Sequence, residues 1–134
     1  MKLLFDYKKY FEMNSNLRIE IEDVDGQVIK NIKWFVGDLQ VGIFAYTLKD
    51  DYAMIVGYNK YKGVPKGIGY KFIKMCIDDI LTKHKGVFSP NRGRSLYSDI
   101  VWSKLEKEYD VVDFKLGDHN GKMIYSNSIS DSLK

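Results

Sequence analysis

Apolar and polar positions follow two different periods along this 134-residue chain, and the change between them comes near the middle. Leu3, Leu4, Tyr7, Tyr10 and Phe11 recur at helical offsets, so Leu3 to Met13 is predicted as a short helix that Asn14-Ser15-Asn16 ends. Leu17, Ile19 and Ile21 then alternate with Arg18, Glu20 and Glu22, the pattern of a half-buried strand. Asp25-Gly26 signals a hairpin turn, and Val28 to Phe35 is the returning strand. Turns at Gly37-Asp38 and Lys49-Asp50-Asp51 bound a third strand, Val41 to Leu48, and Tyr52 to Tyr58 is the fourth. After Gly63-Val64-Pro65 the period becomes helical. Ile68, Phe72, Ile73, Cys76, Ile77, Ile80 and Leu81 form one stripe of a helix drawn from Ile68 to His84. Lys83, His84 and Lys85 suit its last turn and Gly86 its C-terminal stop.

Val87-Phe88 is a short apolar run that predicts a strand, and Ser89 to Arg94 reads as a loop. Ser95 caps a second full helix whose stripe is Tyr97, Val101, Leu105 and Tyr109, with Trp102 adjacent. Val111 to Leu116 and Lys122 to Tyr125 form a final hairpin across Gly117 to Gly121, and Ser126 to Lys134 is a polar tail expected to fray. The order is helix, three or four strands, helix, strand, helix, two strands. With no linker, repeat or low-complexity run, it predicts one mixed α/β domain over residues 1–134.

Composition narrows the function classes. The chain is 45% hydrophobic and 29% charged, enough apolar content to bury a core. A net charge of +3 fits an anionic ligand without indicating nucleic acid. The single cysteine, Cys76, excludes an intramolecular disulfide and a multi-cysteine zinc site; no metal site is expected. Met1 to Phe5 is too short an apolar run for a signal peptide or a membrane span, so the expectation is a cytoplasmic protein without membrane contact.

Candidate chemistry centres on Val64-Pro65-Lys66-Gly67-Ile68-Gly69, between a strand and a helix. Two glycines there let backbone N–H groups face outward at a helix N-terminus, where the dipole favours phosphate; Lys62 and Lys66 add charge. An ordinary chain reversal explains the same glycines. The run lacks the Gly-Lys-Ser/Thr of a nucleoside-triphosphate loop, and its preceding strand belongs to a meander, unlike a dinucleotide fingerprint.

From this point the chain resembles the GNAT acetyltransferase superfamily. Val41-Gly42-Ile43 resembles that family's third strand. Met54 to Asn59 resembles the fourth, which splays from the fifth and receives the pantetheine arm. Val64 to Gly69 resembles the pyrophosphate loop, and Ser95 to Leu105 the helix that follows. The likeness covers about Val28 to Tyr125 and is similar in style to small phage or prophage members. It implies a single α+β domain with a mixed, mostly antiparallel sheet flanked by helices. It also implies acetyl-CoA as cofactor, held by Val56, Gly57, Tyr58, Lys62, Val64, Lys66, Gly67, Ile68 and Gly69, and transfer of an acetyl group to a small-molecule or protein amine.

Two positions depart from the family. Val64, followed by Pro65, stands where the loop usually carries Gln or Arg, and proline has no N–H to offer. Trp102 stands where many members have a Tyr that protonates the leaving thiolate, so Tyr97 or Tyr109 is the substitute acid. A general base is sought among carboxylates, of which Asp51 is one candidate beside Asp50, Glu20 and Glu22. These departures motivate an alternative: a catalytically inactive GNAT-like protein that binds a macromolecule, for instance a host protein if it is phage-encoded. Asn91-Arg92-Gly93-Arg94 is a compact basic loop that suits an adenosine 3′-phosphate, a nucleic acid, an acidic partner or simple solvation. Tyr and Lys also interleave at Tyr7 to Tyr10 and Tyr58 to Lys62, but the second segment coincides with the cofactor loop, which disfavours nucleic acid.

Overall fold

A computed structural model describes residues 7–13, 16–22, 24, 26–92 and 94–126. Leu3, Leu4, Asn14, Ser15, Asp25, Gly93 and residues 127–134, which carry parts of the expectations above, lie outside the described residues. The elements are α1 (Tyr7–Met13), β1 (Leu17–Glu22), β2 (Ile29–Val36), β3 (Leu39–Lys49), β4 (Tyr52–Lys60), α2 (Ile68–Leu81), β5 (Gly86–Pro90), α3 (Leu96–Leu105), β6 (Val111–Leu116) and β7 (His119–Tyr125). The seven strands form one sheet in the order β1-β2-β3-β4-β5-β7-β6. Every pairing is antiparallel except β4 with β5. That exception follows from α2, the crossover that returns the chain to the same edge in the same direction.

The alternating strands bury one face. Ile32, Trp34 and Val36 of β2, Val41, Phe44 and Tyr46 of β3, and Ala53 and Ile55 of β4 meet Phe72, Ile73, Cys76, Ile77 and Ile80 of α2. Trp34 stacks on Phe72 at 5.3 Å and donates its indole N–H to Cys76 Sγ at 3.2 Å. Gly42 makes room for that indole, since a Cβ there would lie 2.3 Å from Trp34 Cε3. Val101, Trp102 and Leu105 of α3 close the same core, while Phe88, Leu116 and Met123 form a smaller one.

Several boundaries differ from the sequence reading. The helix predicted to reach His84 stops at Leu81, where Thr82 turns its hydroxyl back to Asp79 O at 2.6 Å. Gly86 opens β5 instead of capping α2, because a Cβ there would lie 2.7 Å from Ile124 O on β7. Ser89 and Pro90, read as loop, extend β5 by pairing with Lys122 and Gly121. The last hairpin turns on Gly117-Asp118 alone, with Gly117 at φ 59°, so His119 to Gly121 belong to β7. In α3 the buried residues are Ser98, Val101, Trp102 and Leu105. Tyr97 therefore leaves the predicted stripe and stands 49% exposed, and Tyr109 lies beyond the helix end.

Candidate functional site

β4 and β5 part company soon after they meet. They pair at Tyr52–Gly86, Ala53–Val87 and Met54–Phe88 and no further. Beyond Met54, β4 stays with β3, while Ser89 and Pro90 stay with β7. At the divergence β4 carries a bulge: Ala45 faces Gly57 and Tyr46 faces Ile55, which leaves Val56 without a ladder partner. Bulges re-aim backbone groups, and here the re-aimed segment borders the opening. A cavity of about 150 Å³ fills the notch. Ile55 to Tyr58 of β4, Ser89 and Pro90 of β5, and Arg92, Arg94, Ser95, Tyr97 and Ser98 before and on α3 line it.

Polar side chains converge on this cavity. Ser95 caps α3 by accepting the Ser98 N–H at 3.1 Å. That cap directs the first turn of α3 at β4, where Ser98 Oγ and Tyr58 Oη share a hydrogen bond of 2.5 Å. The Tyr58 ring stacks on Phe44 and meets Tyr97 edge-on at 6.3 Å. Burial raises the Tyr58 phenol above its ordinary range, against the opposite pull of the Ser98 hydrogen bond, and burial raises Tyr97 as well. Both phenols are therefore proton carriers at neutral pH.

The second part of the site is the start of α2. Gly67 is its N-cap, at φ 91° and ψ −26°, and no side chain caps the helix. The first N–H groups of a helix have no partner within it, so these are left for solvent or an anion. A Cβ on Gly67 would meet nothing within 4 Å, so the approach is open. A Cβ on Gly69 would lie 2.9 Å from Tyr97 Oη, which places that hydroxyl over the helix start. Lys60 Nζ holds the preceding loop by donating to Pro65 O at 3.1 Å. Lys62 and Lys66 are exposed on either side of it. Val64 is buried in the core, and its N–H donates to Tyr61 O, so it offers a ligand neither side chain nor N–H.

Of the residues singled out in the sequence, Val56, Gly57, Tyr58 and Tyr97 line the cavity, and Gly67, Ile68 and Gly69 form the helix start beside Tyr97. Tyr109 and Asp51 are not brought there. Tyr109 donates to Asp78 Oδ1 at 2.6 Å and so joins the end of α3 to α2. Asp51 sits in the β3–β4 turn at φ 65°, with His84 Nδ1 2.8 Å from its Oδ1. Trp102 is 1% exposed and its Nε1 has no hydrogen-bond partner among the described residues. Ser98 and Ser89 escaped the sequence reading. The Ser95-x-x-Ser98 spacing was a usable signal for the first, because it puts Ser98 one turn inside a capped helix.

Known proteins share this arrangement at the level of the fold. No family model matches the sequence, and no curated protein does. Solved structures do. An acetyltransferase from Bacillus subtilis in complex with CoA superposes with a TM-score of 0.56 at 12% identity, covering 83% of this chain and 99% of that one. A GNAT family acetyltransferase from Elizabethkingia anophelis with acetyl-CoA bound gives 0.56 at 12% identity, over 81% and 95%. A spermidine N-acetyltransferase from Vibrio cholerae gives 0.58 at 8% identity, over 81% and 71%. At such identities the likeness establishes architecture, and the chain has the fold of the GNAT acetyltransferases.

Proposed function

We propose that this protein is an acetyl-CoA-dependent N-acetyltransferase acting on a small-molecule or protein amine. The observation that carries the reading is the divergence of β4 from β5 after Met54 and Phe88, with the Val56 bulge on one wall and the uncapped start of α2 beside it. The residues fit the cofactor. The N–H groups after Gly67 would hold its pyrophosphate, with Lys62 and Lys66 adding charge. The open space over Gly57 and Gly67, where a Cβ would touch nothing, leaves room for the arm. What acetyl-CoA supplies when bound is an acyl thioester: an amide forms as the C–S bond breaks, the sulfur takes up a proton and the amine releases one.

The chain's own residues position and protonate. Backbone N–H groups of the bulged Val56 to Tyr58 segment are the donors for a carbonyl oxygen in the notch. Trp102 replaces the family's tyrosine and an indole supplies no proton, so the proton is held at Tyr97 Oη or at Tyr58 Oη with Ser98 behind it. A phage origin and a cytoplasmic location belong to the same proposal; among the described residues no helix is long and apolar enough to cross a membrane. Calorimetry with acetyl-CoA and CoA tests the reading. Saturable binding of both is expected, and no heat at millimolar ligand would overturn it. Binding without turnover on any amine would favour the inactive alternative.

A further inference from the structure

Two strands end the sheet, β1 and β6, and they are not equivalent. A strand at an edge presents N–H and C=O groups that have no ladder partner. On β1 the charges are already matched: Arg18 pairs with Glu20 at 3.1 Å and lies over the Phe35 ring, and Glu22 faces Lys33 at 3.6 Å. On β6, Asp113 and Lys115 are exposed, and among the described residues neither has an ion pair. Lys122, directly across from Asp113 on β7, reaches Glu106 instead. Val112, between Val111 and Asp113 on the same edge, is 42% exposed.

Hydrogen bonds on β7 fix which backbone groups of β6 face outward. The Asn91 N–H donates to Asn120 O and the Ser126 N–H to Lys85 O, each at 2.9 Å, so the even-numbered residues of β7 bond to the β5 side. Antiparallel pairs alternate, so the odd-numbered residues bond to β6: His119 with Leu116, Gly121 with Phe114 and Met123 with Val112. The N–H and C=O of Asp113 and Lys115 therefore point away from the sheet. Their side chains share one face of β6, while Val112, Phe114 and Leu116 share the other. Lys49 lies against Gly117 and ends the open stretch there.

A second copy of the chain is the partner that this edge fits. When two β6 strands meet antiparallel about a two-fold axis, residue i faces j and j faces i. With the axis at Phe114, Asp113 faces the partner's Lys115 and Lys115 faces the partner's Asp113, both as hydrogen-bonded pairs. On the other face Phe114 meets the partner's Phe114, and Val112 lies beside the partner's Leu116. Slipping the register by two residues would set Asp113 against Asp113 or Lys115 against Lys115. A slip of one would set outward backbone groups against inward ones. A lone lysine on an edge strand keeps sheets apart, but in this register each lysine meets a carboxylate. We infer that the protein associates with itself as a two-fold dimer through β6, joining two seven-stranded sheets into one. The block β5–β7–β6, which carries one wall of the notch, becomes half of a six-stranded block. This inference does not rest on the acetyltransferase reading.

Sedimentation velocity of the full chain, from micromolar to near-millimolar concentration, tests it. A reversible monomer–dimer equilibrium is expected, and salt should weaken it. Lys115→Asp places like charges at both pairs and should weaken the dimer roughly 10- to 30-fold. Combining Asp113→Lys with Lys115→Asp exchanges the two charges and should restore the affinity. Arg18→Glu on β1 should leave it unchanged. Residue-resolved amide exchange supplies the geometry: Asp113 and Lys115 should slow as concentration rises, while Phe114, bonded within the hairpin, should not. Circular dichroism should show the native fold for every variant, since all the substitutions lie on exposed edges; where one unfolds, the exchange result on wild type decides alone. A chain that stays monomeric throughout overturns the proposal. So does a dimer that ignores Lys115→Asp, one that Arg18→Glu disrupts, or one in which Asp113 and Lys115 exchange as fast as in the monomer.

Discussion

Gly42 and Gly69 look alike in sequence, each a glycine beside an apolar run, but a methyl group would meet different atoms at each. At Gly42 it would lie 2.3 Å from the Trp34 ring and 2.6 Å from Asn59 O, a packed indole and a strand carbonyl that cannot move cheaply. At Gly69 it would lie 2.9 Å from Tyr97 Oη, the free end of a half-exposed side chain. Gly42→Ala is therefore expected to cost roughly 1–3 kcal/mol in denaturant unfolding. Gly69→Ala should cost clearly less but displace Tyr97 and weaken CoA binding in calorimetry. Equal stability losses at the two sites, or unchanged CoA affinity in Gly69→Ala, would contradict the placement of Tyr97. Residue-level reading of the sequence identified Gly67 and Gly69 because a strand-to-helix junction is a local pattern. It gave no hint that a distant tyrosine lies over Gly69, since that contact depends on how α3 docks.

At the level of elements, most of the sheet was legible because alternation with period two survives in β1 to β4 and their turns are short. Helix ends were less so. Thr82 stops α2 through a side chain bonded back to Asp79, which no apolar periodicity reports. In α3, Tyr97-Val101-Leu105 and Ser98-Val101-Trp102-Leu105 are both valid helical stripes. The structure takes the second because Trp102 is the larger apolar surface and Ser98 can satisfy its hydroxyl on Tyr58. The ambiguity concealed the cavity, since the chosen stripe turns Tyr97 toward it. Ser95 fixes that rotation from the helix end. Ser95→Ala is expected to lower stability by about 1 kcal/mol, the usual loss for an N-cap hydroxyl. It should also increase amide exchange across residues 96–98 well before the rest of α3. Exchange that rises uniformly along α3 would mean that packing of Val101 and Leu105, not the cap, sets the start of the helix.

Taken whole, the sheet is two antiparallel blocks, β1 to β4 and β5 to β7, joined by three parallel residue pairs. So short a seam makes the notch possible and leaves the helices beneath to hold the blocks together. Tyr70 of α2 donates to Glu108 just past α3, Lys74 reaches the same carboxylate at 3.0 Å, and Tyr109 donates to Asp78. Burial, followed by the Glu108 hydrogen bond, pushes the Tyr70 phenol from 10.0 up to about 12, and burial with the Asp78 bond raises Tyr109 too. The sign of the consequence follows from proton linkage. Above the ordinary phenol range the unfolded chain has released protons that the folded protein still binds, so stability falls as pH rises. The contribution of Tyr70 is complete below pH 10.0 and disappears as pH climbs through about 12. The unfolding midpoint in denaturant should therefore be level up to that lower bound and decline above it. Tyr70→Phe with Tyr109→Phe should start lower, because both hydroxyl bonds are gone, and then decline less steeply. Parallel profiles for wild type and the double variant would show that these two phenols do not tie α2 to α3, and that the joint rests on the β4–β5 seam and on the core that Val101, Trp102 and Leu105 share with α2.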